Sequence, residues 1–141
     1  MSTQPTSPPN WQPISSLPSV AAALDGMLES AQEQYPNLQQ AKSRPHILDD
    51  YTVKRVINAY TQQADDLWLF EEQLKRWKAE SINEGQQQEL TRLEGQLKQL
   101  RTQIRLILSL AEELKTGTIE SVLSKSDLEI GMDVLSGKLN K

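Results

Sequence analysis

Apolar residues recur at spacings of three and four along Leu90 to Leu114: Leu90, Leu93, Leu97, Leu100, Ile104, Ile107, Ala111 and Leu114. That is a heptad seam on one face of a helix, with Leu90, Leu97, Ile104 and Ala111 at a and Leu93, Leu100, Ile107 and Leu114 at d. Such a stripe needs another helix to lie against. A second stripe precedes it: Val53, Val56, Tyr60, Leu67, Phe70, Leu74 and Trp77, with Gln63 as its polar member. The segment 81–85 between them predicts a turn, with Gly85 closing the earlier helix near Ile82. A short turn predicts antiparallel neighbours.

The flanking chain predicts shorter elements. Val20, Leu24, Met27, Ala31 and Leu38 recur at helical spacing, with Leu28 widening the face. Ser16 or Ser19 caps this first helix, and Pro18 suits its first turn. Pro36 falls inside the pattern and predicts an end or kink near Tyr35, because proline lacks an amide donor and clashes with the preceding turn. Asn37 to Ser43 then forms a second short piece. Asp49 or Asp50 caps the second long helix. Beyond Lys115, Thr118 opens a short helix over 119–124. Ser126 and Glu129 have capping-box spacing for a last one, which Gly137 ends. Residues 1–16, rich in Pro, Ser and Thr, predict a disordered tail; Trp11, its one large aromatic group, either packs loosely there or docks back on the bundle or on a partner. Residues 17–141 form a single helical-bundle domain.

Two registers compete for the long pair. One sets Trp77 against Leu90, Leu74 against Leu93, Leu67 against Leu100 and Val53 against Leu114. The other matches Lys78 with Glu94 and Glu71 with Arg101. Exposed ion pairs contribute roughly 0.2–1 kcal/mol, whereas burying a large apolar side chain contributes roughly 1.5–3 kcal/mol. The apolar register is therefore expected. The seam also widens at Leu106, Leu108 and Leu110. The half from Ile104 onward should sit in a multi-helix core, under the first helix and the C-terminal pair. The turn end, Phe70 to Leu100, should project as a thinner two-helix arm. The expected fold is all-α: an antiparallel helical hairpin of two long helices, with an N-terminal helix and two short C-terminal helices packed at its base.

Composition narrows the function. The 141 residues contain no cysteine. That removes disulfides and thiol chemistry and suits a reducing compartment. The net charge of −4 argues against a dedicated nucleic-acid binder. The N-terminus resembles no signal peptide, and no apolar run approaches the roughly 20 residues that span a bilayer. These features lead to the expectation of a cytoplasmic protein with no membrane contact.

Candidate chemistry is sparse. His46 is the only histidine, so no multi-histidine metal site exists within one chain, and a connector residue near a helix cap is the better reading. Asp65, Asp66, Glu71 and Glu72 form an acidic patch without the inward Glu-x-x-His pattern of di-iron bundles, and read as a solvated face. No phosphate loop or nucleophile motif occurs. No catalytic residue, metal or cofactor is expected.

Trp68 and Leu69 flank the seam. They either contact the first helix or form an exposed apolar surface of the kind that marks an interface. The candidate protein interface is Leu67, Trp68, Leu69, Phe70, Leu74 and Trp77, with Leu90 and Leu93 opposite. The expected function is a non-enzymatic protein-interaction module, either a homo-oligomer or a small subunit or adaptor of a larger assembly. The alternative is an accessory subunit of a nucleoprotein complex that uses a basic stripe, Lys98, Arg101 and Arg105, with Lys75, Arg76 and Lys78 nearby. Pairing with Glu94, Glu112 and the neighbouring helix's carboxylates is the plainer account of that stripe.

Overall fold

The computed structural model describes residues 9–44 and 48–115. Among them the chain is all-helical: a 3-10 turn at Ile14–Ser16, then α1 (Leu17–Lys42), α2 (Asp50–Lys78) and α3 (Glu84–Lys115). His46 and the two short helices expected beyond residue 118 lie outside the described residues.

The caps follow local chemistry. Asp49, not Asp50, caps α2 and accepts the Thr52 amide at 2.7 Å. That bond stabilises the charged carboxylate, so Asp49 titrates below its ordinary value. α2 ends at Lys78, one turn earlier than expected. Gly85 closes nothing, because it lies in the first turn of α3. The turn is set instead by a reciprocal box. The Gln86 amide donates to Asn83 Oδ1 at 2.8 Å, and the Asn83 amide donates to Gln86 Oε1 at 3.0 Å.

Pro36 does not end α1, which runs unbroken to Lys42 and absorbs the piece expected at Asn37–Ser43. The missing amide costs one backbone bond. Packing on both sides holds the helix together nonetheless: Leu28 and Ala31 are buried before the proline, and Leu38 and Ala41 after it. The buried stripe of α1 is Leu17, Ala21, Leu24, Leu28, Ala31, Leu38 and Ala41, with Val20 and Met27 only at its margin.

α3 is the shared element, and both α1 and α2 pack along it. Its entire seam from Leu90 to Leu114 is buried, with Leu90, Leu93 and Leu100 at 0% exposure. Most of the stripe of α2 is buried, and both ion pairs assigned to the other register form as well. Val53, Tyr60, Leu67, Leu74 and Trp77 are buried, yet Lys78 pairs with Glu94 and Arg101 with Glu71. Long helical side chains lean toward their own N-terminus. The charged tips flank the apolar seam without displacing it.

The thin arm expected at Phe70 to Leu100 is not found. α1 lies beside that end of α3 as well: Asp25 bonds Arg92 and Gln96 there, and Lys42 meets Glu113 at the other end. The widened seam is buried on fewer sides than expected. Leu110 is in the core and Leu108 at its edge, but Leu106 remains 40% exposed. Among the described residues, no helix is long and apolar enough to cross a membrane.

Candidate interaction site

The polar group buried most deeply in α2 is not on its seam. Gln73, one residue before Leu74, is 6% exposed. What covers it is the segment Pro9–Pro13, which lies against α2 where the sequence predicts a free tail. A buried side-chain amide needs partners for both its ends. Gln73 finds them in one backbone residue: the Gln12 N–H donates to Gln73 Oε1 at 2.7 Å, and Gln73 Nε2 donates to the Gln12 carbonyl at 3.4 Å. One turn on, the fully buried Trp77 donates its indole N–H to the same carbonyl at 2.9 Å. Residues four apart share a helix face, so Gln73 and Trp77 act as one clamp on a peptide main chain.

The side chain before that clamp is held separately. Trp11 meets the Trp68 ring edge-on, with centroids 6.3 Å apart and planes at 79°. Such T-shaped pairs are favoured by the ring quadrupole. The Arg76 guanidinium carbon lies 4.5 Å from the centroid of Trp11, within cation–π range. Pro13, at φ −68° and ψ 160°, continues the segment in an extended conformation before the 3-10 turn. The fit is incomplete, since the Trp68 indole nitrogen is buried without an acceptor among the described residues.

Beside the segment lies an open, mainly apolar groove of about 260 Å³, bounded by Trp11, Val20, Leu69, Phe70 and Gln73. It joins the N-terminal segment, α1 and α2. A smaller apolar cavity of about 130 Å³ lies at the other end of the bundle among Leu38, Leu48, Val53, Ala111 and Leu114, and no titratable side chain of the described residues lines it.

No family model, no curated protein and no solved structure matches the chain. A functional reading therefore stands on geometry.

The predicted interface divides in two. Leu67, Leu74, Trp77, Leu90 and Leu93 are buried within the bundle, so their apolar area is already used inside the chain. Trp68, Leu69 and Phe70 are half-buried. Leu69 and Phe70 face the groove and Trp68 faces Trp11, so both options raised by the sequence, contact within the chain and partial exposure, apply at once. The basic stripe is not a unit. Arg101 pairs with Glu71, Lys98 shares a groove with Glu71 and Glu94, and Arg105 is exposed without an ion-pair partner among the described residues. Of its neighbours, Lys78 is paired with Glu94 and Arg76 covers Trp11. The acidic patch is likewise divided. Asp66 accepts from Gln62 and Glu71 from Arg101, and no group of three or more His, Asp or Glu among the described residues is placed to hold a metal.

Sequence reasoning missed Gln12 and Gln73, and named Arg76 only beside the basic stripe. Gln73 and Arg76 are unremarkable polar residues on a helix, and only the chain laid over them gives them a role. The available signal was Trp11 set between prolines, a large aromatic group on a stiffened, extended chain.

Proposed function

We propose that this chain is a non-enzymatic helical module that works through protein contact. In this reading α2 and α3 form an antiparallel hairpin, α1 braces it, and the working face is the aromatic flank of α2 where the N-terminal segment crosses. The observation that carries the reading is the open apolar groove bounded by Trp11, Val20, Leu69 and Phe70. An apolar concavity rimmed by polar side chains suits an anchor residue from a partner. Most of the remaining apolar area of the three helices is consumed by their own core, while Tyr51 and Leu106 stay exposed. A cytoplasmic setting belongs to the same reading and is supported by the cysteine-free composition. The nucleoprotein alternative has less support, because Arg101, the middle of its stripe, is engaged by Glu71.

The test compares wild type with Leu69→Glu, which places a charge in the groove without touching the core. Light scattering up to about 1 mM detects contacts as weak as about −4 kcal/mol. Either self-association or retention of a defined host protein is expected for wild type, and Leu69→Glu should abolish it while keeping its helical circular dichroism. A wild-type chain that stays monomeric and retains nothing that the variant loses would overturn the reading.

A further inference from the structure

We propose that the α2 face from Trp68 to Trp77 is a recognition site for an extended, tryptophan-bearing, proline-flanked peptide of a partner protein, and that Pro9–Pro13 is its resident in cis. This deepens the interaction reading above and rests on it.

The site has the parts of a peptide receptor. Gln73 matches the N–H and the C=O of one residue simultaneously, and Trp77 adds a second donor to that carbonyl. Such contacts read a main chain and are indifferent to the side chain, here the exposed Gln12. Selectivity comes from the preceding position, where Trp68 and Arg76 receive an indole. It comes also from the following position, where a proline keeps the chain extended and lowers the ordering cost of binding. The ligand is therefore defined by chemistry: a tryptophan, then a residue with a free amide and carbonyl, then a proline.

The resident is held in a way that allows exchange. None of the side chains from Pro9 to Pro13 is buried; Trp11 is half-buried and Asn10, Gln12 and Pro13 are exposed. The segment leaves the Trp68 indole N–H unmatched among the described residues, and an unsatisfied buried donor weakens the fit. Its hold depends on tethering, which supplies an effective concentration in the millimolar range for a short connection. A partner segment that makes the same clamp and also satisfies Trp68 would displace it.

The test uses the full chain with Trp11→Ala, which empties the aromatic slot. The protein has three tryptophans, so this variant retains two indole N–H signals, those of Trp68 and Trp77, and both report on the site. A synthetic peptide of residues 9–16 is titrated into the 15N-labelled variant to about 5 mM, comparable with the tethered concentration. Saturable shifts of both signals are expected. Wild type should bind the peptide about tenfold more weakly or worse, because self-occupancy divides the apparent affinity. Trp11→Ala combined with Gln73→Met, close in volume and unable to clamp, should lose the response. The same peptide with Trp11 replaced by Ala should give none.

Absence of shifts in Trp11→Ala, with its helical spectrum intact, overturns the proposal, as does binding that survives Gln73→Met. If Trp11→Ala is not helical, the same titration is run on Arg76→Gln, which loosens the slot at an exposed position. Silence there overturns the proposal equally. Failure here with groove-dependent association still lost in Leu69→Glu would leave the broader reading standing. Peptide binding with no groove-dependent partner would sink that reading and keep this site. A wild-type dimer that forms only through exchange of the N-terminal segment would overturn the assignment to a different protein.

Discussion

Arg92 grips Asp25 with both arms of its guanidinium, Nη1 to Oδ1 at 3.0 Å and Nη2 to Oδ2 at 2.9 Å. The pair ties α1 to α3 near the inter-helix turn. The same guanidinium donates from Nε to Glu89 at 2.6 Å, and Gln96 adds a bond to Asp25 at 3.0 Å. The hydrogen bond from Arg92, followed by that from Gln96, holds the Asp25 carboxyl below its ordinary range. The bond from Arg92 does the same for Glu89, and the guanidinium is held more firmly protonated in return.

A carboxyl depressed in the folded state contributes stability above its unfolded value, and the contribution is lost as pH falls through the folded value. Both side chains are about two-fifths exposed, at 44% and 40%, so solvent screening keeps the coupling small. A double-mutant cycle of Asp25→Asn and Arg92→Gln by urea denaturation should give about 0.2–1 kcal/mol at neutral pH, and the coupling should shrink as acid protonates the carboxyl. A coupling unchanged in acid would contradict the assignment.

Leu24 of α1 and Leu93 of α3 are 1% and 0% exposed. Truncating either to alanine should cost about 2–5 kcal/mol, the range for a fully enclosed leucine. Leu106→Ala serves as the contrast at 40% exposure, and should cost well under half as much. Equal losses at Leu93 and Leu106 in denaturant unfolding would mean that the turn end is as open as a projecting arm.

Pro36 removes the amide that would bond the Gln32 carbonyl inside an otherwise continuous helix. Pro36→Ala should therefore raise stability, by about 1–3 kcal/mol on the helix-propensity difference, and raise the melting temperature. A drop in melting temperature would show that the proline is needed for the path of α1 toward Lys42.

Gly26 and Gly95 sit inside α1 and α3, and an added Cβ at either meets nothing within 4 Å. Gly26→Ala and Gly95→Ala should each stabilise by about 0.5–1 kcal/mol through reduced backbone freedom in the unfolded chain. Destabilisation at either position, read by thermal melts, would point to a surface that another molecule or segment approaches closely.

The seam of α3 was legible in full from Leu90 to Leu114, because a three–four spacing is a local property of one helix. So was the carboxylate cap of α2. The path of α1 through Pro36 was not legible, since a local rule that breaks a helix was outweighed by packing of Leu38 and Ala41 against other parts of the chain. The turn was misassigned for a related reason. Gly85 looked like a stop, but the side chains of Asn83 and Gln86 set the start of α3 there.

The candidate site was half legible. Trp68, Leu69 and Phe70 stand out as apolar residues with no place on the seam, and the structure places them at the groove. Leu67, Leu74, Trp77, Leu90 and Leu93 carry the same apolar signal, yet are spent in the core. Hydrophobicity alone does not say which neighbour a residue finds.

The amino-acid sequence by itself determined the all-helical class of the described residues and the stretches that form α2 and α3. Those follow from periodicity, caps and breakers that act within a few residues. Tertiary structure decided that α1 lies beside α3 from Arg92 to Glu113, that charged pairs and the apolar seam coexist, and that Gln73 is a buried clamp for the main chain of Gln12. Each of these depends on groups that are distant along the chain, 61 residues apart for Gln12 and Gln73. Only the folded chain brings them within hydrogen-bonding distance.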